Sequence, residues 1–186
     1  MKYFKKLEGE NIYLSPRNEE DVEVFTKWIN DFETTDYIGR SAQTMTIEAE
    51  KEYLQSTYRQ EADFVIVKQE NDQLIGSISL KDINHLHRTA TLGIFIGDKD
   101  SRSQGYGTEA ICLLLDYAFS YLNLNNIMLQ VMEFNERAIR CYKKCGFQEA
   151  GRRRKCLFVN GHYYDKLQMD ILAEEFTGKY IKNKCI

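Results

Sequence analysis

Proline is nearly absent: Pro16 is the only one in 186 residues. No stretch rich in proline, glycine and serine interrupts the chain either, so nothing reads as a linker and residues 1–186 are expected to form one domain. Long apolar runs are missing too. The longest, Ala110 to Leu122, is broken by Asp116 and is too short to cross a bilayer. The opening stretch MKYFKKLEGENIYL is basic without the apolar centre of a secretory signal, so a cytoplasmic, membrane-free protein is expected. Neither sign of charge dominates: 25 Lys and Arg against 28 Asp and Glu leave a net charge of -3, which disfavours a general grip on nucleic acid. The run Arg152-Arg153-Arg154-Lys155 is too short to supply one and reads as solvated strand surface.

Metal-binding residues are equally sparse. His85 and His87 stand in the polar stretch Lys81 to Arg88 with no third ligand nearby, which reads as a surface loop. The cysteines (Cys112, Cys141, Cys145, Cys156 and Cys185) are odd in number, and Cys141/Cys145 has helical spacing without a second pair. Neither a zinc site nor a disulfide framework is expected, and reduced thiols fit a cytoplasmic setting. The helix-start sequence Gly-Lys-Ser/Thr of a P-loop does not occur.

What the chain does hold is a globular composition, 43% hydrophobic and 28% charged, sufficient for one filled core. Ile12-Tyr-Leu14 reads as a short strand stopped by Ser15-Pro16. Asn18 caps a helix through about Asn30, with Val22, Phe25, Trp28 and Ile29 at helical spacing. Asp31 to Gln43 is irregular, and a second helix runs from after Thr46 to Glu61-Ala62-Asp63. Phe64 to Val67 and Leu74 to Leu80 form a hairpin, and Thr91 to Ile96 follows as a strand. A helix from about Tyr106 to Leu122 is apolar on nearly every side and therefore buried. Ile127 to Val131 is a strand, and Arg137 to Cys145 a helix ended by Gly146. Phe147 onward pairs with Tyr163 to Ile171 across the turn Asn160-Gly161. The order βααβββαβαββ describes an α/β (α+β) domain with a mixed, mostly antiparallel sheet.

The segment Arg102-Ser-Gln-Gly105-Tyr-Gly107-Thr108-Glu-Ala110 lies between a strand and the buried helix. Gly105 and Gly107 let the backbone bend tightly and present successive N–H groups, and the first turn of a helix favours an anion. Arg102 adds charge and Thr108 a hydroxyl, so a diphosphate ligand suits the loop; a glycine-softened helix start is the plainer alternative. Gly105-Tyr-Gly107-Thr-Glu-Ala110 also fits the dinucleotide pattern G-x-G-x-x-G/A. Asp98 to Gln104 separates it from its strand, however, and the acidic residue expected about twenty positions later is missing.

Three stretches together carry a family resemblance: Leu92-Gly-Ile-Phe-Ile-Gly-Asp98, the loop just described, and Asn135-x-x-Ala138-x-x-x-Tyr142-x-Lys-x-Gly-Phe147. With the ending Phe158-Val-Asn-Gly-His-Tyr-Tyr-Asp165, they make the chain similar to GNAT N-acyltransferases. The matching branch contains ribosomal-protein alanine and spermidine acetyltransferases. The resemblance implies two central strands, ending near Ile96 and Val131, that splay apart around the pantetheine arm of acetyl-CoA. Phe95 and Ile96 would pair with that arm through their backbone. Arg102, Ser103, Gln104, Gly105, Tyr106, Gly107 and Thr108 would wrap the diphosphate, with Asn135 and Ala138 against the cofactor; Asn135 equally suits a helix cap.

The same resemblance makes Tyr142 the proton donor to the departing CoA thiolate, a role that suits a phenol of pKa near 10. Some members carry a glutamate as general base on the strand that here runs Thr89 to Ile96, and this chain has none there. Glu33 and Asp36 are the substitutes, and Tyr163, Tyr164 and Asp165 are further candidates for the acceptor pocket. Cys141 lies about 100° around the helix from Tyr142 with no histidine close in sequence, so direct transfer in a ternary complex is expected over an acetyl-enzyme. The implied activity is acetylation of a primary amine: a polyamine, aminoglycoside, amino sugar or protein N-terminus. Asp31, Glu33 and Asp36 lean towards a cationic acceptor. A catalytically silent acyl-CoA-binding module is the alternative, and a homodimer is compatible with either.

Overall fold

The computed structural model describes residues 2–57 and 62–180. Glu61, at the expected end of the second helix, and Cys185 lie outside the described residues. In chain order the elements are β1 (Leu7–Glu8), β2 (Ile12–Pro16), α1 (Val22–Ile29), α2 (Phe32–Thr35), α3 (Ile47–Thr57), β3 (Asp63–Lys68) and β4 (Leu74–Asn84). Then come β5 (Thr89–Ile96), α4 (Tyr106–Ser120), β6 (Asn126–Met132), α5 (Glu136–Lys144), β7 (Gln148–Val159) and β8 (His162–Leu172). One eight-stranded sheet has the order β1-β2-β3-β4-β5-β6-β8-β7. Every pairing is antiparallel except that of β5 with β6.

Strand periodicity sends alternate residues to opposite faces, and each face is covered. Ile12, Leu14, Phe64, Ile66, Ala90 and Leu92 pack under α4, whose Ala110, Ile111, Leu113, Leu114, Leu115 and Ala118 are buried. Tyr13, Val65, Val67 and Leu74 pack on the other face against Phe25 of α1 and Leu54 of α3, with Trp28 and Phe95 at the edge of that cluster. Helix α4 is fixed at its start by Glu109, which accepts from Asn11 N at 2.9 Å and Asn11 Nδ2 at 3.0 Å. Asp116 Oδ2 accepts from Lys179 N and Tyr180 N, tying down the segment after β8.

Several local expectations hold for their stated reasons. Asn18 accepts from Glu20 N ahead of α1, and Thr46 Oγ1 from Ala49 N at the start of α3. Gly146, at φ +100°, ends α5 with Phe147 N bonded to Tyr142 O and Gly146 N to Lys143 O, the paired bonds of a left-handed helix stop. Asn160 and Gly161 both have positive φ, as a two-residue hairpin turn requires.

Others need correction. Strand β2 continues through Pro16, opposite Phe64, because β1 reaches only Leu14 and Tyr13 and the missing N–H has no partner to lose. Of the stretch Lys81 to Arg88, expected as a loop, residues 85–88 with His85 and His87 do form an exposed turn, but the part before them extends β4 to Asn84: Lys81 pairs with Thr91 and Asn84 with Thr89 across an irregularity. Its polar residues belong to an exposed strand end. Asp31 to Gln43 contains the one-turn α2, with Thr34 Oγ1 bonded to Asp31 Oδ2. No described helix is long and apolar enough to cross a membrane.

The parallel pair is what opens the molecule. Strands β5 and β6 pair only at Thr89–Asn126, Ala90–Ile127 and Thr91–Met128, although β5 continues to Ile96 and β6 to Met132. Beyond Thr91 the two strands diverge.

Candidate active site

The divergence leads into a cavity of about 570 Å³ with two chemically different halves. The first half lies between the loop before α4 and helix α5. Ser103 and Gly105 hold positive φ (+63° and +89°), and Gly105 forms the N-cap of α4 without any side-chain cap. An added Cβ at Gly105 would meet nothing within 4 Å, so the backbone there borders open space. The first-turn N–H groups of α4 have no intrahelical acceptor, and with the helix dipole they form a site for an anion. Arg137, Arg140 and Lys144 of α5 line the same half. The open cradle, the splay and these cations fit the diphosphate and pantetheine of CoA.

Asn135 caps α5 by accepting from Ala138 N at 3.2 Å and donates to Tyr37 O at 3.4 Å. Tyr142 lines the cavity, 8% exposed, with its ring 6.0 Å from that of Phe147. Among the described residues its hydroxyl has no hydrogen-bond partner, and burial pushes its pKa well above the ordinary phenol value. The group therefore stays protonated across neutral pH. Cys141 also borders the cavity, its thiol 3.2 Å from Thr108 Oγ1.

Of the residues singled out in the sequence, Phe95, Ile96, Arg102, Ser103, Gly105, Gly107, Thr108, Asn135, Ala138 and Tyr142 all line this cavity. Gln104 and Tyr106 do not. The Gln104 amide turns back to Asp100 O, and the Tyr106 ring packs on the core beneath the Lys68 ammonium at 5.4 Å. Arg102 is on the wall, but its guanidinium is engaged with Ile96 O at 3.1 Å, Gly97 O at 3.2 Å and Thr34 Oγ1 at 2.8 Å. It braces α2 against the end of β5.

The two acidic substitutes fare differently. Glu33 reaches the rim but is 71% exposed and paired with Lys99 at 2.5 Å. Asp36 lies off the cavity and accepts from Ser41 Oγ. Tyr163, Tyr164 and Asp165 also lie away from it. Tyr163 stacks near Phe158, Tyr164 packs on Phe134, and Asp165 is held by Arg152 at 3.1 Å and Lys155 N at 2.8 Å.

The second half of the cavity was missed in the sequence. It is lined by Arg17, Arg40, Glu50, Tyr53, Ser77, Ser79 and Lys81. Glu50 is the unusual member: it is 2% exposed, and its Oε2 has no hydrogen-bond partner. One signal was legible, since Glu50 precedes the buried Leu54 by one helical turn and so occupies the inner face of α3. Among the described residues no group of three or more His, Cys, Asp and Glu is placed to hold a metal ion.

Comparison with known proteins accords with this geometry. The chain is 35% identical over 114 residues to spermidine N(1)-acetyltransferase of Vibrio cholerae, a match covering 61% of this chain and 65% of that one. For the Escherichia coli K12 spermidine N(1)-acetyltransferase the identity is 35% over 105 residues, 56% of each chain. The chain thus matches less than two thirds of the length of these curated relatives. The probable N-acetyltransferase YjcK of Bacillus subtilis is 32% identical over 177 residues, covering 89% of this chain and 96% of that one. The crystal structure of the Vibrio cholerae spermidine N-acetyltransferase in complex with CoA and spermine superposes with a TM-score of 0.81 at 28% identity, over 88% of this chain and 96% of that one. Residues 11–148 match the acetyltransferase (GNAT) domain, and the chain belongs to that family.

Proposed function

We propose that the protein is an acetyl-CoA-dependent N-acetyltransferase acting on a primary amine by direct transfer. The observation that carries this is the divergence of β5 and β6 into a cavity bordered both by the uncapped start of α4 and by Tyr142. Acetyl-CoA supplies an activated acetyl group and a thiol leaving group. The N–H groups at Gly107 and Thr108 hold its diphosphate, with Arg137, Arg140 and Lys144 near its phosphates. The unpaired edge of β5 beyond Thr91 receives the pantetheine amides in the manner of an added strand. Tyr142 keeps the proton that the sulfur needs, and burial keeps it there at neutral pH. Spermidine acetyltransferases among the relatives support an amine acceptor. The dodecameric structure of the Vibrio cholerae relative supports self-association, which light scattering would measure.

The test is thiol release from acetyl-CoA across an amine panel, with Tyr142→Phe alongside. The variant should lose about 10²–10⁴-fold in kcat while binding acetyl-CoA as the wild type does. Turnover that ignores the substitution would remove Tyr142 from the chemistry. Binding of acetyl-CoA without turnover of any amine would identify a silent acyl-CoA module instead.

A further inference from the structure

We infer that the acceptor is a primary amine that also carries a carboxylate or phosphate, its ammonium held and deprotonated by Glu50 and its anionic group met by Arg40 and Lys81. The inference rests on the reading that this cavity is the site of acetyl transfer.

Glu50 presents a buried carboxylate to the cavity, and among the described residues nothing donates to its Oε2 and no cation lies within ion-pairing distance. An isolated carboxylate in such a place is costly unless a ligand completes it. A protonated primary amine brings the opposite charge and three N–H donors. Across the cavity the wall offers little else to an ammonium. Ser77 and Ser79 stand on one face of β4, opposite Phe95 and Gly93, and a Cβ at Gly93 would reach only Ser79 Oγ at 3.8 Å. Gly93 thus leaves this part of the β5 wall open, and α3 presents a carboxylate to the same cavity.

The cations give the second element. Arg17 is neutralised by Asp63 at 2.7 Å. Arg40 stacks over Tyr53 at 5.8 Å, and neither it nor Lys81 has a carboxylate partner among the described residues. The acceptor half therefore offers one unpaired anion and two unpaired cations. A polyamine would bring several positive charges against that balance. The acidic residues that favoured one are already occupied: Asp31 and Glu33 are both bound to Lys99, and Asp36 to Ser41. An amine with a negative group closes every unpaired charge at once.

The charged and titratable groups that share this cavity wall with Glu50 are Arg17, which is paired with Asp63, and Arg40, Lys81, Glu33 and the phenol of Tyr53. Burial raises the Glu50 pKa, and Arg17 and Arg40 oppose that rise. The carboxylate takes one proton from the ammonium. The C–N bond forms at the acetyl carbon as the C–S bond breaks. Of the two protons lost by nitrogen, one ends on the CoA sulfur through Tyr142 and the other passes from Glu50 to solvent. The sum is an ammonium and acetyl-CoA giving an amide, CoA thiol and one free proton.

The experiment uses the full chain, with acetyl-CoA binding measured separately by calorimetry. Rates are taken on matched pairs (amino acids with their carboxamides, glucosamine 6-phosphate with glucosamine) and on spermidine. At least one acid or phosphate should exceed its neutral partner and spermidine by about tenfold or more in kcat/KM. The amino-acid and sugar-phosphate arms separate the two anionic groups. Arg40→Gln and Lys81→Met should each lower kcat/KM for the anionic acceptor by more than for the partner lacking the anionic group, narrowing that advantage. Glu50→Gln should lower kcat by about 10²-fold or more and abolish the acidic limb of the pH profile, with Glu50→Asp partly restoring both. Preference for spermidine, silence of every zwitterion in a protein that binds acetyl-CoA, or full kcat in Glu50→Gln would overturn the inference alone. Failure to bind acetyl-CoA would overturn the transferase reading with it.

Discussion

Replacing Glu50 by glutamine should stabilise the ligand-free protein. The amide has nearly the shape of the carboxylate, so packing against α3 and β4 is kept while the charge is removed. In the unfolded chain the carboxylate is hydrated; in the fold it is 2% exposed with Oε2 unpartnered. Leaving a buried polar group unsatisfied costs about 1–3 kcal/mol, and attraction from Arg17 and Arg40 offsets part of that. A net gain of about 1 kcal/mol is expected, or roughly 2–4 °C in Tm for a chain of this size. The pH dependence follows from the direction of the Glu50 shift. Its folded pKa is raised, so between the unfolded value of about 4.3 and that higher one the fold retains a proton that the unfolded chain has released. Wild-type stability contributed by this group therefore falls as pH rises through the window, and the glutamine variant is spared the loss. Melting curves from pH 4 to pH 8 should show the two proteins converging at the acid end and separating towards neutrality. A glutamine variant that melts lower at pH 7, or a gap independent of pH, would refute the description of Glu50 as a buried, unsatisfied carboxylate.

The cofactor half yields two further outcomes. Gly105→Ala should meet no steric obstacle, yet its φ of +89° costs an L-residue about 1–2 kcal/mol, so the loop should relax and KM for acetyl-CoA rise with kcat nearly kept; an unchanged KM would show that the loop's shape does not set cofactor affinity. Cys141 has a pKa held down to about 7, chiefly by hydrogen bonding to Cys145 against the opposing effect of burial, with Thr108, Lys144 and Arg137 assisting. A maleimide should therefore label it ahead of Cys112 near neutral pH, and acetyl-CoA should slow the labelling, as peptide mapping would show.

Much of the frame could be read from the sequence because its signals are local. The caps at Asn18 and Thr46, the stop at Gly146 and the turn at Asn160-Gly161 each depend on a few adjacent residues. Two-residue β1 and one-turn α2 are too short for periodicity to mark. That Gly105, Gly107 and Asn135 line one end of the cavity was legible for the same local reason, as they fall in two compact stretches. Even there, the sequence does not reveal that Arg102 is consumed as a brace between Thr34 and the end of β5. The acceptor half was not legible. Arg17, Arg40, Glu50 and Lys81 come from four separate segments, and only the wrapping of α3 over the sheet brings them to one wall. Proximity in sequence misled in the other direction: Asp31 and Glu33 look available until Lys99, far along the chain, is seen bound to both.

That contrast has a consequence for specificity. The cofactor half is built largely from backbone, through the uncapped start of α4 and the splayed edge of β5, so altering it disturbs the fold. The acceptor half is built from side-chain charge, and single substitutions there can change preference without moving the strands. Lys81 is the clearest case. It stands near the end of β4, half-buried and opposite Thr91, with no carboxylate partner among the described residues. Lys81→Glu replaces a positive charge with a negative one on the cavity wall and leaves Arg40 as the only unpaired cation among the described residues of that half. For an anionic acceptor the attraction becomes repulsion, while for spermidine the reverse holds. At an effective dielectric of about 20 a pair of unit charges 4 Å apart is worth about 4 kcal/mol before solvent exposure reduces it. A combined swing of about 10²-fold in the kcat/KM ratio between a zwitterionic acceptor and spermidine is expected, measured by competition between the two in one reaction. Unchanged selectivity, in a variant whose melting curve and acetyl-CoA affinity match the wild type, would mean that the acceptor does not approach along the wall formed by β4 and α3.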